Sequence, residues 1–153
     1  MILYAEDDEN DSFFMERAFS AMGSPEKLCT VSDGKLVIEY LSGEGRFADR
    51  KKYPVPTVLL LDIKLPKMTG LQVLRWVRER PEFSGLIVIM FTSSSQPVDI
   101  TFCAVHGANA YLAKASRSDH LSARLPKILE AKSNLSAGEN RLEISDNLLP
   151  RVQ

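Results

Sequence analysis

Residues 57–70 read Thr57-Val58-Leu59-Leu60-Leu61-Asp62-Ile63-Lys64-Leu65-Pro66-Lys67-Met68-Thr69-Gly70. The first five are apolar or β-branched without polar alternation, the pattern of a strand buried on both faces in a helix-covered parallel sheet. The run ends on an acid and passes a proline. It then opens, with Thr69 as N-cap, into Leu71, Leu74 and Val77 on one helical stripe, with Pro81 beyond the end. Strand, loop and helix in that order make one βα unit.

The same rhythm repeats on both sides. Strands are predicted at 2–5, 27–31, 57–61, 86–91 and 110–113, and the third and fourth, apolar throughout, belong at the centre of the sheet. Helices are predicted at 11–22 (Phe14, Ala18, Met22), at 34–41 (Leu36, Val37, Tyr40) and after Thr69. A fourth has Pro97 near its start, Val98, Thr101, Phe102 and Val105 at i, i+3, i+4 and i+7, and a stop at Gly107. A fifth runs from about Ser118 through Leu121, Leu125, Ile128 and Leu129. Pro126 interrupts it, and an interior proline costs about 3 kcal/mol, so a kink or break is expected there. Alternating units of this kind give an α/β fold.

The stretch 42–56, with Gly43, Gly45, Arg46, Arg50, Lys51, Lys52 and two prolines, reads as a long surface connection. After Lys132 the pattern decays. Residues 1–132 are therefore expected as one domain, and 133–153 as a mobile or partner-binding tail in which 141–144 could add a short strand.

Bulk properties narrow the function. Of 153 residues, 44% are hydrophobic and 25% charged, which suits one ordinary core. A net charge of −1 gives no electrostatic footprint for nucleic acid or an anionic membrane. No apolar run is long enough to span a bilayer. Met1 leads through Ile2-Leu3-Tyr4-Ala5 straight into acids, unlike a signal peptide. Cys29 and Cys103 lie outside any CxxC spacing and read as free thiols of a reducing compartment, so a cytoplasmic protein is expected.

Right-handed βα connections bring the loops after all strands to one sheet edge, where ligands bind in open α/β sheets. Glu6, Asp7 and Asp8 follow the first strand, Asp62 the third, Thr92 the fourth and Lys114 the fifth. Carboxylates meeting in one cleft repel, by about 4 kcal/mol for unit charges roughly 4 Å apart at an intermediate dielectric, so something positive must offset them. Oxygen-only ligands suit Mg²⁺, and a lysine can pair with the remaining charge. Such a cleft suits phosphoryl transfer to a carboxylate, whose mixed-anhydride product is short-lived and fit for a reversible signal. Taken singly, each residue is ordinary: Asp8, Glu9 and Asp11 complement a helix dipole, an Asp or Thr after a strand is a turn residue, and a Lys is a surface charge. Their joint placement carries the argument. His106 and His120 lack a second ligand at metal spacing and read as capping or surface residues, and Phe13, Phe14 and Trp76 as core or partner-facing aromatics.

Over residues 1 to about 132 the sequence resembles the receiver family of two-component response regulators. The resemblance rests on Glu6-Asp7, on Asp62 followed by Pro66 and Gly70, on Thr92 in Phe91-Thr92-Ser93-Ser94, and on Lys114 after Ala110-Tyr111-Leu112-Ala113. It implies a flavodoxin-like, doubly wound five-stranded parallel sheet of strand order 2-1-3-4-5. It also implies Asp62 as phosphoacceptor, a Mg²⁺ site from Asp7, Asp62 and the backbone carbonyl of Lys64 with Glu6 acting through a water, and Thr92 and Lys114 on the phosphoryl oxygens. Tyr111 would swing inward as Thr92 moves, and the fourth helix, fifth strand and fifth helix would form the readout face. The implied partner is a sensor histidine kinase or histidine phosphotransfer protein, and the implied role is a signalling phosphoacceptor rather than an enzyme.

Two positions depart from the family. Ala115 stands where a cis proline usually follows the lysine, and a cis non-proline bond costs about 3 to 4 kcal/mol, so the loop is expected either trans and shifted or held under strain. Lys64 stands where side chains approach the attacking water, which predicts slow self-dephosphorylation. The long connection after Gly43, the Leu65-Pro66-Lys67 wording and the serines after Thr92 also resemble the small stand-alone receivers of phytochrome-type kinases, which often form homodimers. Two other readings stand beside this one. Ala115 motivates a receiver-like module that works without phosphorylation. A phosphatase similar to the haloacid dehalogenases would need a second acid two residues after Asp62, where Lys64 stands.

Overall fold

The computed structural model describes residues 1–114 together with Pro126 and Glu130. The predicted fifth helix with its break, the Lys114–Ala115 bond, His120 and the tail lie otherwise outside the described residues. The chain runs β1 (Ile2–Ala5), α1 (Glu9–Ala21), β2 (Leu28–Val31), α2 (Gly34–Ser42), β3 (Val58–Leu61), α3 (Gly70–Arg78), β4 (Ile87–Thr92), α4 (Pro97–Val105) and β5 (Ala110–Ala113). All strands pair in parallel, in the order β2-β1-β3-β4-β5. The fold is the expected five-stranded doubly wound sheet, and its order reverses between β1 and β3.

Two-residue alternation divides the core. Leu3, Ala5, Leu59, Leu61, Val88 and Met90 face one side, against Val37 and Tyr40 of α2, Val73, Leu74 and Val77 of α3 and Cys103 of α4. Ile2, Tyr4, Val58, Leu60, Ile89 and Phe91 face the other, against Met15 and Phe19 of α1. Every residue of β3 is fully buried, as its unbroken apolar run requires.

Side-chain capping sets the starts of α1 and α3. The Asp8 carboxylate accepts from the N–H groups of Asn10 and Asp11, which starts α1 at Glu9, two residues before the expected position. Thr69 and Gln72 form a reciprocal capping box on α3. At the far end of α4 the His106 ring stacks on Phe102 at 3.8 Å, and His106 is the capping residue expected.

One expectation is corrected. The connection after α2 is packed rather than merely laid on the surface. Phe47 is buried against Tyr40 and Tyr53, with ring centroids 4.8 and 5.2 Å away. Arg50 donates to the carbonyls of Tyr40 and Leu41, each at 2.7 Å, and so satisfies carbonyls that the end of α2 leaves open. Phe13 and Phe14 are exposed, and Trp76 lies half-buried under the Arg80 guanidinium at 3.7 Å. Both cysteines are free thiols. Among the described residues, no helix is long and apolar enough to cross a membrane.

Candidate functional site

Register builds the site. Ala5 pairs with Leu61, so the next residue on each strand, Glu6 and Asp62, emerges at the same edge beside the reversal of strand order. Their backbones are pinned, with the Asp62 N–H donating to Ala5 O at 3.2 Å and the Glu6 N–H to Val31 O at 3.0 Å. Glu6 and Asp62 are buried and Asp7 is exposed. One oxygen from each of the three lies within 4.8 Å of the others. Three hard oxygen donors at that spacing fit a small divalent cation.

β5 delivers the counter-charge. Thr92 pairs with Ala113, the Lys114 N–H donates to Thr92 O at 2.7 Å, and the side chain turns back over the acids. Its ammonium donates to Glu6 Oε2, to Asp62 Oδ2 at 2.9 Å and to Asp11 Oδ2 at 3.0 Å. Burial alone would lower the lysine pKa, but the carboxylates of Glu6 and Asp62 hold it well above its ordinary value, so the ammonium stays charged. Burial raises the Glu6 carboxyl pKa, against the opposing pull of Lys114 and of the Asp8 N–H at 3.0 Å. Glu6 also accepts from the Tyr4 hydroxyl at 3.0 Å.

On the β4 side Thr92 is fully buried, and its Oγ1 accepts from the Ser94 N–H at 3.3 Å. Ser94 donates through its hydroxyl to Asp99 at 2.6 Å, and its carbonyl accepts from the Tyr111 hydroxyl at 2.7 Å. Tyr111 is thus already inside, and burial pushes its phenol up to about 12.

The loop after Asp62 is clamped to α2 and α3. The Lys64 N–H donates to Asp62 Oδ1 at 3.3 Å, while the Lys64 side chain is exposed. Lys67 adopts φ 64° and reaches Asp33 at 2.6 Å. Although burial opposes it, this ammonium helps hold the Asp33 carboxyl below its ordinary range. Gly34 and Gly70 are needed because a Cβ would lie 1.9 Å from the Met68 carbonyl oxygen and 2.0 Å from that of Asp62.

The fold therefore brings Glu6, Asp7, Asp62 and Lys114 into one cleft. Thr92 lies at the same edge, and Tyr111 sits further back on β5 against Ser94. Sequence reasoning passed over Asp11 as a site residue, although it lies in the first turn of α1, just after the acids that follow β1. It also passed over Ser94 and Asp99, for which no periodicity offered a signal.

Comparison with known proteins agrees with this architecture. The family model for the response regulator receiver domain matches residues 2–126. The response regulator Rcp1 of Synechocystis is 27% identical over 115 residues, covering 75% of this chain and 76% of its own. The phosphorylated cyanobacterial phytochrome response regulator RcpA is similar with a TM-score of 0.79 and 28% identity, over 90% of this chain and 95% of that one. A response regulator of red light signalling in R. palustris, RPA3017, superposes with a TM-score of 0.78 and 31% identity, over 84% and 90% of the two chains.

Proposed function

Since the chain belongs to the response regulator receiver family, we propose that it is a phosphoacceptor signalling by protein contact. A sensor histidine kinase or histidine phosphotransfer protein delivers the phosphoryl group to Asp62. The observation that carries this reading is the Lys114 ammonium, held on Asp62, Glu6 and Asp11 at the strand-order reversal. An Asp62 carboxylate oxygen forms a bond to phosphorus as the donor's N–P bond breaks, and its electron pair leaves with the imidazole. Lys114 and the Thr92 hydroxyl receive the phosphoryl oxygens. Tyr111 and Thr92, joined through Ser94, report the change to the α4 surface.

Asp7, Asp62 and the Lys64 carbonyl would hold Mg²⁺, with Glu6 acting through a water; the gathering of oxygen donors from Glu6, Asp7 and Asp62 supports a hard divalent cation there. Bound there, Mg²⁺ neutralises charge on the transferring group. Lys64 slows self-dephosphorylation by placing a cation near the path of the attacking water, and a lifetime that lengthens or stays unchanged in Lys64→Ala would refute that role. The likeness to phytochrome response regulators supports a phytochrome-type kinase as donor. Residues 1–132 act as the receiver and 133–153 as a contact segment. Free thiols are consistent with a cytoplasmic setting and a homodimer with the subfamily, while the charge balance speaks against nucleic acid.

The test is treatment with acetyl phosphate and Mg²⁺ followed by a phosphate-affinity gel. The wild type is expected to shift, and Asp62→Asn or a chelated sample is expected not to. A wild type that does not shift favours instead a module that works without phosphorylation.

A further inference from the structure

An ammonium has three N–H donors, and Lys114 directs them at Glu6, Asp62 and Asp11. Phosphoryl oxygens arriving on Asp62 can bond Lys114 only if a present partner gives way. The three carboxylates differ in what release would cost. The Glu6 and Asp62 side chains are 1% and 7% exposed, so either would be left as a poorly hydrated charge. Asp11 is 46% exposed and rehydrates on release. Its backbone is nonetheless fixed in the first turn of α1, because its own N–H donates to the Asp8 capping carboxylate at 3.0 Å.

We propose that Asp11 is a positioning residue. It occupies one N–H of Lys114 in the unmodified protein, holds the ammonium over Asp62, and yields that N–H to an incoming phosphoryl oxygen. Its negative charge also favours cations in the cleft and opposes anions. This rests on the function proposed above, and its consequence is a pair of effects of opposite sign. Removing the charge weakens binding of a divalent cation and strengthens binding of a phosphoryl mimic. A merely structural role for Asp11 would weaken both.

The experiment is calorimetric titration of the full chain with Mg²⁺ alone, then with beryllofluoride at saturating Mg²⁺, for wild type, Asp11→Asn and Asp11→Ala. Each variant is melted beforehand to confirm folding. For both variants Mg²⁺ affinity is expected to fall about threefold and beryllofluoride affinity to rise about threefold, the size of one partly solvated charge pair. Asp11→Glu, which keeps the charge, is expected to restore the Mg²⁺ affinity. Two falls together, or no change in either, would overturn the placeholder role while leaving the proposed function intact. A wild type that binds neither ligand would overturn both.

Discussion

Two largely enclosed cations stand at opposite ends of the sheet and are treated in opposite ways. Lys114, at the carboxyl end, sits among three carboxylates and has more negative charge around it than it can neutralise. Arg78, in the last turn of α3, lies near the amino ends of β4 and β5. It donates to the carbonyls of Gly107 at 2.9 Å, Leu86 at 2.9 Å and Phe83 at 3.3 Å, and to Asn109 Oδ1 at 2.8 Å. All these partners are neutral oxygens. Burial lowers the Arg78 pKa. A guanidinium tolerates this because its rigid fork can satisfy several carbonyls at once. The two cations thus divide the labour. Arg78 braces the turns before two strands, one of which Asn109 also ties to the Val88 N–H at 2.8 Å. Lys114 is a counter-charge whose surroundings any change in cleft charge will alter.

The contrast is sharpest in stability. Arg78→Met strips several half-buried carbonyls of a donor and is expected to cost about 2 kcal/mol, or roughly 6 °C in Tm, while the Asp62-dependent gel shift persists. Loss of that shift at a temperature where the variant remains folded would break the division. Lys114→Met is expected to lose most of the shift, and also to lose stability at neutral pH, because Glu6 and Asp62 are left enclosed without their counter-charge. Its cost also depends on pH. A carboxyl with a raised pKa binds more protons folded than unfolded, so stability grows as pH falls towards the raised value. With Glu6 already raised and its counter-charge removed, the deficit of Lys114→Met should shrink between about pH 7 and pH 5. Paired melts at the two pH values check this, and a deficit independent of pH would place the lysine with the brace. In the wild type the lysine pKa is itself raised, so its contribution is complete below its unfolded value and lost only as pH rises through the folded one.

Arg75 calibrates the scale. It lies on the same helix as Arg78 but is 66% exposed, and it pairs with Glu79 at 2.9 Å. Arg75→Ala is expected to change stability by no more than about 0.5 kcal/mol, and by less in high salt. A larger effect would mean that exposure does not separate the brace from ordinary surface charge.

The two ends also differ in how far they could be read from the sequence. Glu6, Asp7, Asp62, Thr92 and Lys114 each sit within two residues of a strand end, so backbone topology alone decides which edge they reach. The run at residues 58–61 placed β3 by the same logic. Arg78 was invisible because its partners are carbonyls, which every residue carries, and its reach to Gly107 spans 29 positions without a period. Arg50 was hidden likewise, its charge counting towards a polar loop although its guanidinium closes a helix. Asp11 was read as complementing a helix dipole. Its contact with Lys114, 103 positions away, depends on the turn of a lysine side chain that no pattern encodes.

The glycine contacts around the loop after β3 have a mechanical consequence. With Gly34 pressed on the Met68 carbonyl and Gly70 on that of Asp62, this wall of the cleft has almost no compliance. The opposite wall hangs on the hydroxyls of Ser94 and Tyr111, which can exchange partners by rotating a single bond. A load placed on Asp62 therefore meets an anvil on one side and a hinge on the other, and strain introduced by added bulk there is relieved in the direction of α4.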